Sequence, residues 1–153
     1  MSQDESVLDQ ETKPPVPRWY WAIAIVALLW NLLGCSVLVM ELFYQEEMMV
    51  DFTEAQKEWS RSFGGWIYVL WGIAVLSGIG GSIGLLMRKQ YSRCLLDISL
   101  ASVLIQMTYT MVIAGGLQVM GPQGAIMPLI IVGIAAGLVW FVRYARRQKW
   151  LCA

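Results

Sequence analysis

Four apolar runs alternate with polar stretches along this chain of 153 residues. Residues 19–40, 65–87, 94–117 and 125–142 are each long enough, at about 1.5 Å of rise per helical residue, to cross a hydrocarbon core of about 30 Å. The clearest is residues 65–87, GWIYVLWGIAVLSGIGGSIGLLM, an uncharged run stopped by Arg88 and Lys89. Between the first two runs, Met48, Phe52, Ala55, Trp59 and Phe63 recur at three- and four-residue spacing, and Thr53-Glu54-Ala55-Gln56 has the capping-box pattern. These features predict a short amphipathic external helix. Residues 88–93, RKQYSR, read as a tight basic turn that folds the second and third spans into a hairpin. Gly121-Pro122-Gln123-Gly124 reads as a second turn, and Pro128 falls where a helix can begin. Residues 1–17 are polar, acidic and closed by Pro14-Pro15-Val16-Pro17, a composition that does not fold alone. The pattern predicts an all-α integral membrane protein: a disordered tail over residues 1–17, then one domain over 18–153 built as a bundle of four transmembrane helices.

Charge orients the bundle. The first 18 residues, the 88–93 turn and the C-terminal stretch hold two, three and four Lys or Arg, whereas the two opposite loops hold two and none. Basic residues favour the cytoplasmic side, so both termini are expected there, in a cell inner (plasma) membrane. Six carboxylates, Glu41, Glu46, Glu47, Asp51, Glu54 and Glu58, gather in the first external loop. Trp19, Trp21, Trp140 and Trp150 fall near the inner boundary and Trp59, Trp66 and Trp71 near the outer one, the level that tryptophan prefers; Trp30 alone sits deep.

Composition narrows the function classes. With 58% hydrophobic and 14% charged residues the chain has a membrane composition. Eleven basic residues balance eleven acidic ones, which gives no reason to expect a nucleic-acid partner. The chain has no His, the residue most used for proton transfer near neutral pH and for metal ligation, so neither a metal, a cofactor nor an enzymatic reaction is expected. Cys35, Cys94 and Cys152 are far apart, form no C-x-x-C pair and are expected to be free thiols. Leu32-Leu33-Gly34-Cys35 has the look of a lipoprotein cleavage site. The start of the chain is acidic and the apolar run continues through Met40, which argues for Cys35 as a mid-span residue instead.

Three groups of residues carry candidate roles. Gly80-x-x-x-Gly84 and Gly133-x-x-x-Gly137 match the small-residue spacing that lets helix backbones approach closely in lipid, within one chain or between chains. Ala24, Ala27, Asn31 and Gly34 share one face of the first span, and Ser99, Ser102, Gln106 and Thr110 share one face of the third. Polar groups at mid-span turn away from lipid, so Asn31 and Gln106 are expected either to hydrogen-bond across the bundle or to form a midplane site for a polar solute, with Trp30 as a stacking platform. Asp97 is the only ionisable residue inside a predicted span. It stands four residues beyond Arg93, the spacing of a helical ion pair, and on the opposite side from the Gln106 face, which points to a structural pair first and a proton relay second.

The runs from Arg18-Trp19-Tyr20 to Leu32-Leu33-Gly34, the span containing Gln106, Gly121-Pro122 with Met127-Pro128, and the basic end from Trp140 to Trp150 resemble a family of small four-span bacterial inner-membrane proteins without an assigned activity, some of them loosely labelled sugar transporters. The resemblance covers the chain from Arg18 onward. It implies a topology and a bacterial source, and it assigns no functional residue. The residues themselves point first to a non-enzymatic subunit that acts by helix packing, with itself or with a larger membrane partner. The alternative is a small permease for a neutral polar solute such as a sugar, using Asn31, Gln106 and Trp30. A third class, an intramembrane enzyme, would have to work with Asp97 and the external carboxylates.

Overall fold

The computed structural model describes residues 15–151, and every element in that stretch is helical. In chain order these are α1 (Arg18–Phe43), α2 (Gln45–Met48), α3 (Glu54–Arg61), α4 (Gly65–Leu86), α5 (Tyr91–Thr108), a π-helical turn (Tyr109–Ile113), α6 (Gly116–Gly124) and α7 (Ile126–Arg147). Four helices are long and apolar enough to cross a membrane: α1, α4, α5 with its π turn, and α7. Residues 1–14 of the expected tail, and Cys152, lie outside the described residues.

Three elements depart from the hydropathy pattern. The third span covers residues 91–113 rather than 94–117, because the chain leaves the helix axis at Gly115, whose φ of 74° ends a right-handed helix. Residues 121–124 do not form a free turn but finish α6, which is bent at Gly121 by a φ of 70°. The segment between the first two spans is two short helices instead of one. Its second piece starts as the sequence indicates: Gln56 N–H donates to Thr53 Oγ1 (3.3 Å) and Thr53 N–H to Gln56 Oε1 (2.9 Å), a reciprocal capping box. Arg61 ties α3 to α2 through Glu46 (2.6 Å) and holds that carboxyl below its ordinary range.

Consecutive spans run antiparallel and pack in the order α1, α4, α5, α7. One end of the bundle therefore gathers the start of α1, the α4–α5 turn and the end of α7, and with them every described basic residue except Lys57 and Arg61. The densest apolar core lies at this basic end, where Tyr20, Leu85, Leu96, Phe141, Val142 and Ala145 are buried together. The Tyr20 hydroxyl donates to the Leu85 carbonyl (2.7 Å), a second bond to an acceptor that also takes the Arg88 N–H at the end of α4. Trp19, Tyr20, Phe141, Tyr144 and Trp150 form an aromatic cluster of edge-to-face and tilted rings that joins α1 to α7 here. Along the rest of their length α1 and α7 have few close backbone approaches.

Both α4 and α7 stop at this end with the same backbone device. Lys89 N–H reaches Gly84 O (2.8 Å) and Arg88 N–H reaches Leu85 O (2.9 Å); Trp150 N–H reaches Ala145 O and Lys149 N–H reaches Arg146 O, each at 3.0 Å. These are Schellman ends, with Arg88 and Lys149 in the left-handed region at φ 57° where glycine is the unstrained choice. Lys149 is exposed, so Lys149→Gly should raise stability by up to about 1 kcal/mol. Thermal unfolding of the detergent-solubilised protein checks this; a lower melting temperature would mean that the lysine side chain, not the backbone, dominates at that position.

Candidate functional site

With α1 and α7 joined mainly at the basic end, the four spans line a partly open cavity of about 340 Å³, on the side of the core facing α3. Its wall is mainly apolar. Val37, Val75, Val103, Ile131, Ile134 and Leu138 supply most of it, and Trp30, Trp71 and Trp59 supply aromatic surface from α1, α4 and α3. The polar groups on the wall are Asn31, Ser99, Gln106 and Thr110. All four are buried in the bundle, as expected for side chains that lipid cannot solvate.

Three of the four are already engaged with backbone. Ser99 Oγ donates to Ala74 O on α4 (2.7 Å), so the interhelical polar bond at this depth comes from Ser99. Asn31 and Gln106 do not bond each other: Asn31 Nδ2 turns back to Ala27 O, one turn earlier in its own helix (2.8 Å), and Asn31 Oδ1 rests against Gly78 of α4, where no Cβ would fit. Thr110 Oγ1 donates to Gln106 O (3.0 Å) at the start of the π turn. That turn, closed by Ala114 N–H to Tyr109 O (2.8 Å), carries one extra residue per turn and leaves Gln106, Thr110 and Met111 all on the cavity wall.

Gln106 is the exception. It is 6% exposed, its side-chain amide makes no hydrogen bond to any described residue, and no fully enclosed polar side-chain atom among them lacks a partner. The amide therefore keeps its residual exposure towards the cavity it lines. A donor and an acceptor are left there for something else to satisfy, at a depth where an unpaired amide costs roughly 1–3 kcal/mol.

The end of the cavity away from the basic end is roofed by α3. Trp59 Nε1 donates to Ala114 O (2.8 Å), taking up a carbonyl freed at the end of the π turn, while its ring lines the cavity and meets Phe63 edge to face at 4.7 Å. From sequence Trp71 reads only as a boundary tryptophan, and Trp59 as one that also lies on the apolar face of the amphipathic helix with Phe63. What could have marked Trp71 is its place on the same helical face as Ala74–Val75, a signal too weak to stand alone.

The other sequence candidates lie elsewhere. Gly80 and Gly84 face α5: a Cβ on Gly84 would stand 2.8 Å from the Tyr91 ring and 2.9 Å from Ser92 Cβ, and one on Gly80 3.0 Å from Leu95. Gly133 and Gly137 are exposed with nothing within 4 Å, so they bring no helices together within the chain. Asp97 lies 3.6 Å from Arg93, at the expected spacing, and 3.1 Å from Arg143 of α7, a partner that sequence distance conceals. Cys35 and Cys94 are free thiols. No protein-family model, no curated protein and no solved structure matches this chain.

Proposed function

We propose that this is a non-enzymatic multi-pass membrane protein whose bundle binds a small, largely apolar molecule carrying one hydrogen-bonding group, which reaches the site between α1 and α7. The observation that carries this reading is the unpartnered Gln106 amide on the wall of an otherwise apolar cavity of about 340 Å³, a size typical of small-molecule sites. A sugar is a poorer occupant than an amphiphile. Its several hydroxyls would face valine, isoleucine and leucine, while the Ser99 and Thr110 hydroxyls already donate to backbone. Carriage of such a molecule across or along a bacterial inner membrane, with the basic end cytoplasmic, is the function class this binding serves.

A suitable probe is 1-aminoanthracene, an apolar aromatic with a single amine. Bound in the cavity, it should accept excitation energy from Trp30, Trp59 and Trp71, giving a saturable signal above its partition into protein-free micelles. Gln106→Leu should weaken that binding about fivefold, the equivalent of about 1 kcal/mol for one hydrogen bond. A signal that never saturates, or one unaffected by Gln106→Leu, would remove the reading.

Packing with a partner is a second reading, and it rests on α7. Gly133, Ala136, Gly137 and Trp140 present an exposed face with open space above both glycines. A second copy or a larger membrane subunit could approach that face closely.

A further inference from the structure

Four arginines converge where α5 and α7 reach the basic end. Arg93, Arg143, Arg146 and Arg147 line a shallow pocket of about 540 Å³, and the only described carboxylate at this end is Asp97, held between Arg93 and Arg143. Four guanidinium groups against one carboxylate leave three positive charges uncompensated within one pocket. At Arg93 the pocket adjoins a second hollow of about 490 Å³ lined by Gln90, Cys94, Asp97, Ile98 and Ala101. Cys94, Ile98 and Ala101 are exposed, so this hollow opens on the outward-facing surface of α5, within the first turns of its apolar span.

We infer that this paired pocket is a binding site for an anionic phospholipid: the arginines receive the phosphate at headgroup level, and an acyl chain lies along Cys94, Ile98 and Ala101. Guanidinium groups match phosphate oxygens in geometry as well as charge, and each basic residue near an anionic membrane surface adds appreciably to lipid attraction. Asp97 shapes the site instead of cancelling it, because its two ion pairs hold Arg93 and Arg143 over the groove while Arg146 and Arg147 stay unengaged by any described acid. Two other occupants share part of this chemistry. A free phosphate would satisfy the arginines and leave the apolar groove unused. The acidic residues Asp4, Glu5, Asp9 and Glu11 of the chain itself are complementary in charge but offer no match to a groove facing the lipid.

The test follows the melting temperature of the full chain in a neutral detergent as dioleoyl phosphatidylglycerol is titrated into the micelles. Dioleoyl phosphatidylcholine and inorganic phosphate are run as parallel arms. Saturable protection by phosphatidylglycerol alone is expected. Arg146→Gln with Arg147→Gln, which leaves both Asp97 pairs intact, should shift the midpoint of protection to at least about tenfold higher lipid. The charge-matched pair Arg18→Gln with Lys149→Gln should leave it within twofold. The proposal is overturned if the control pair shifts the midpoint as far as the arginine pair, because charge at this end would then act without a site. It is overturned equally if inorganic phosphate protects as well as the lipid. A third overturning result is protection that emerges only when Asp4, Glu5, Asp9 and Glu11 are changed to their amides, since the chain's own acidic segment would then be the occupant.

Discussion

Gly84→Leu is expected to cost about 3 kcal/mol, whereas Gly133→Leu should change stability by no more than about 0.5 kcal/mol. Both residues belong to the same G-x-x-x-G spacing, and only the tertiary contacts separate them. At Gly84 even a methyl group would meet the Tyr91 ring at 2.8 Å, Ser92 Cβ at 2.9 Å and Ser92 Cα at 3.2 Å, so the first turn of α5 has to move as a unit. That turn follows directly on the Schellman end built on the Gly84 carbonyl, and it leads into the α5 face that bears Leu96 and Ser99. Displacing it opens the basic-end core and the Ser99–Ala74 bond together. At Gly133 there is open space. Reversible unfolding of the two variants in mixed micelles, read by far-UV circular dichroism, gives the comparison. Equal costs would show that α4 and α5 are not apposed at Gly84. A cost at Gly133 that grows with protein concentration would show that its face is covered by a second copy.

The contrast between those glycines also shows what hydropathy and spacing can and cannot carry. The apolar block at 65–87 was legible to within a residue, since in lipid every backbone group must be satisfied within the helix and the block ends at Arg88 and Lys89. The Thr53 cap was legible because a capping box is local. The end of the third span was not. A π turn is invisible in composition, and Gly115 resembles any other helical glycine until its φ is known. The faces bearing Asn31 and Gln106 were legible from helical periodicity, but their partners were not. An amide in mid-helix always has its own i−4 carbonyl within reach, and Asn31 took that local bond, leaving Gln106 alone across the cavity. Asp97 follows the same rule. Its i, i+4 neighbour Arg93 could be read from spacing, while Arg143, 46 residues away, was brought to it by the packing of α7 on α5.

Filling the cavity should separate a binding site from a mere packing defect, because the two readings predict different pairs of outcomes. Ala135 lines the cavity from α7, midway between Ile131 and Leu138 and in the same space that Gln106 faces from α5. An added phenyl ring at that position would occupy volume whose lining atoms now lack van der Waals partners. Ala135→Phe is therefore expected to stabilise the protein by about 1 kcal/mol, as cavity-filling changes commonly do. If the cavity is the site proposed above, the same substitution should weaken 1-aminoanthracene binding by at least tenfold, equivalent to about 1.4 kcal/mol. Stability and binding then move in opposite directions, which general damage to the fold cannot imitate. Gln106→Leu complements the pair: it removes the unpartnered amide without closing the space, so it should weaken binding less than Ala135→Phe while also raising stability. Should Ala135→Phe stabilise the protein and leave probe binding untouched, the cavity is an ordinary void and α7's open glycine face becomes the stronger guide to function. Should it destabilise the protein, α1 and α7 lie closer together than the cavity requires, and the proposed route between them is closed.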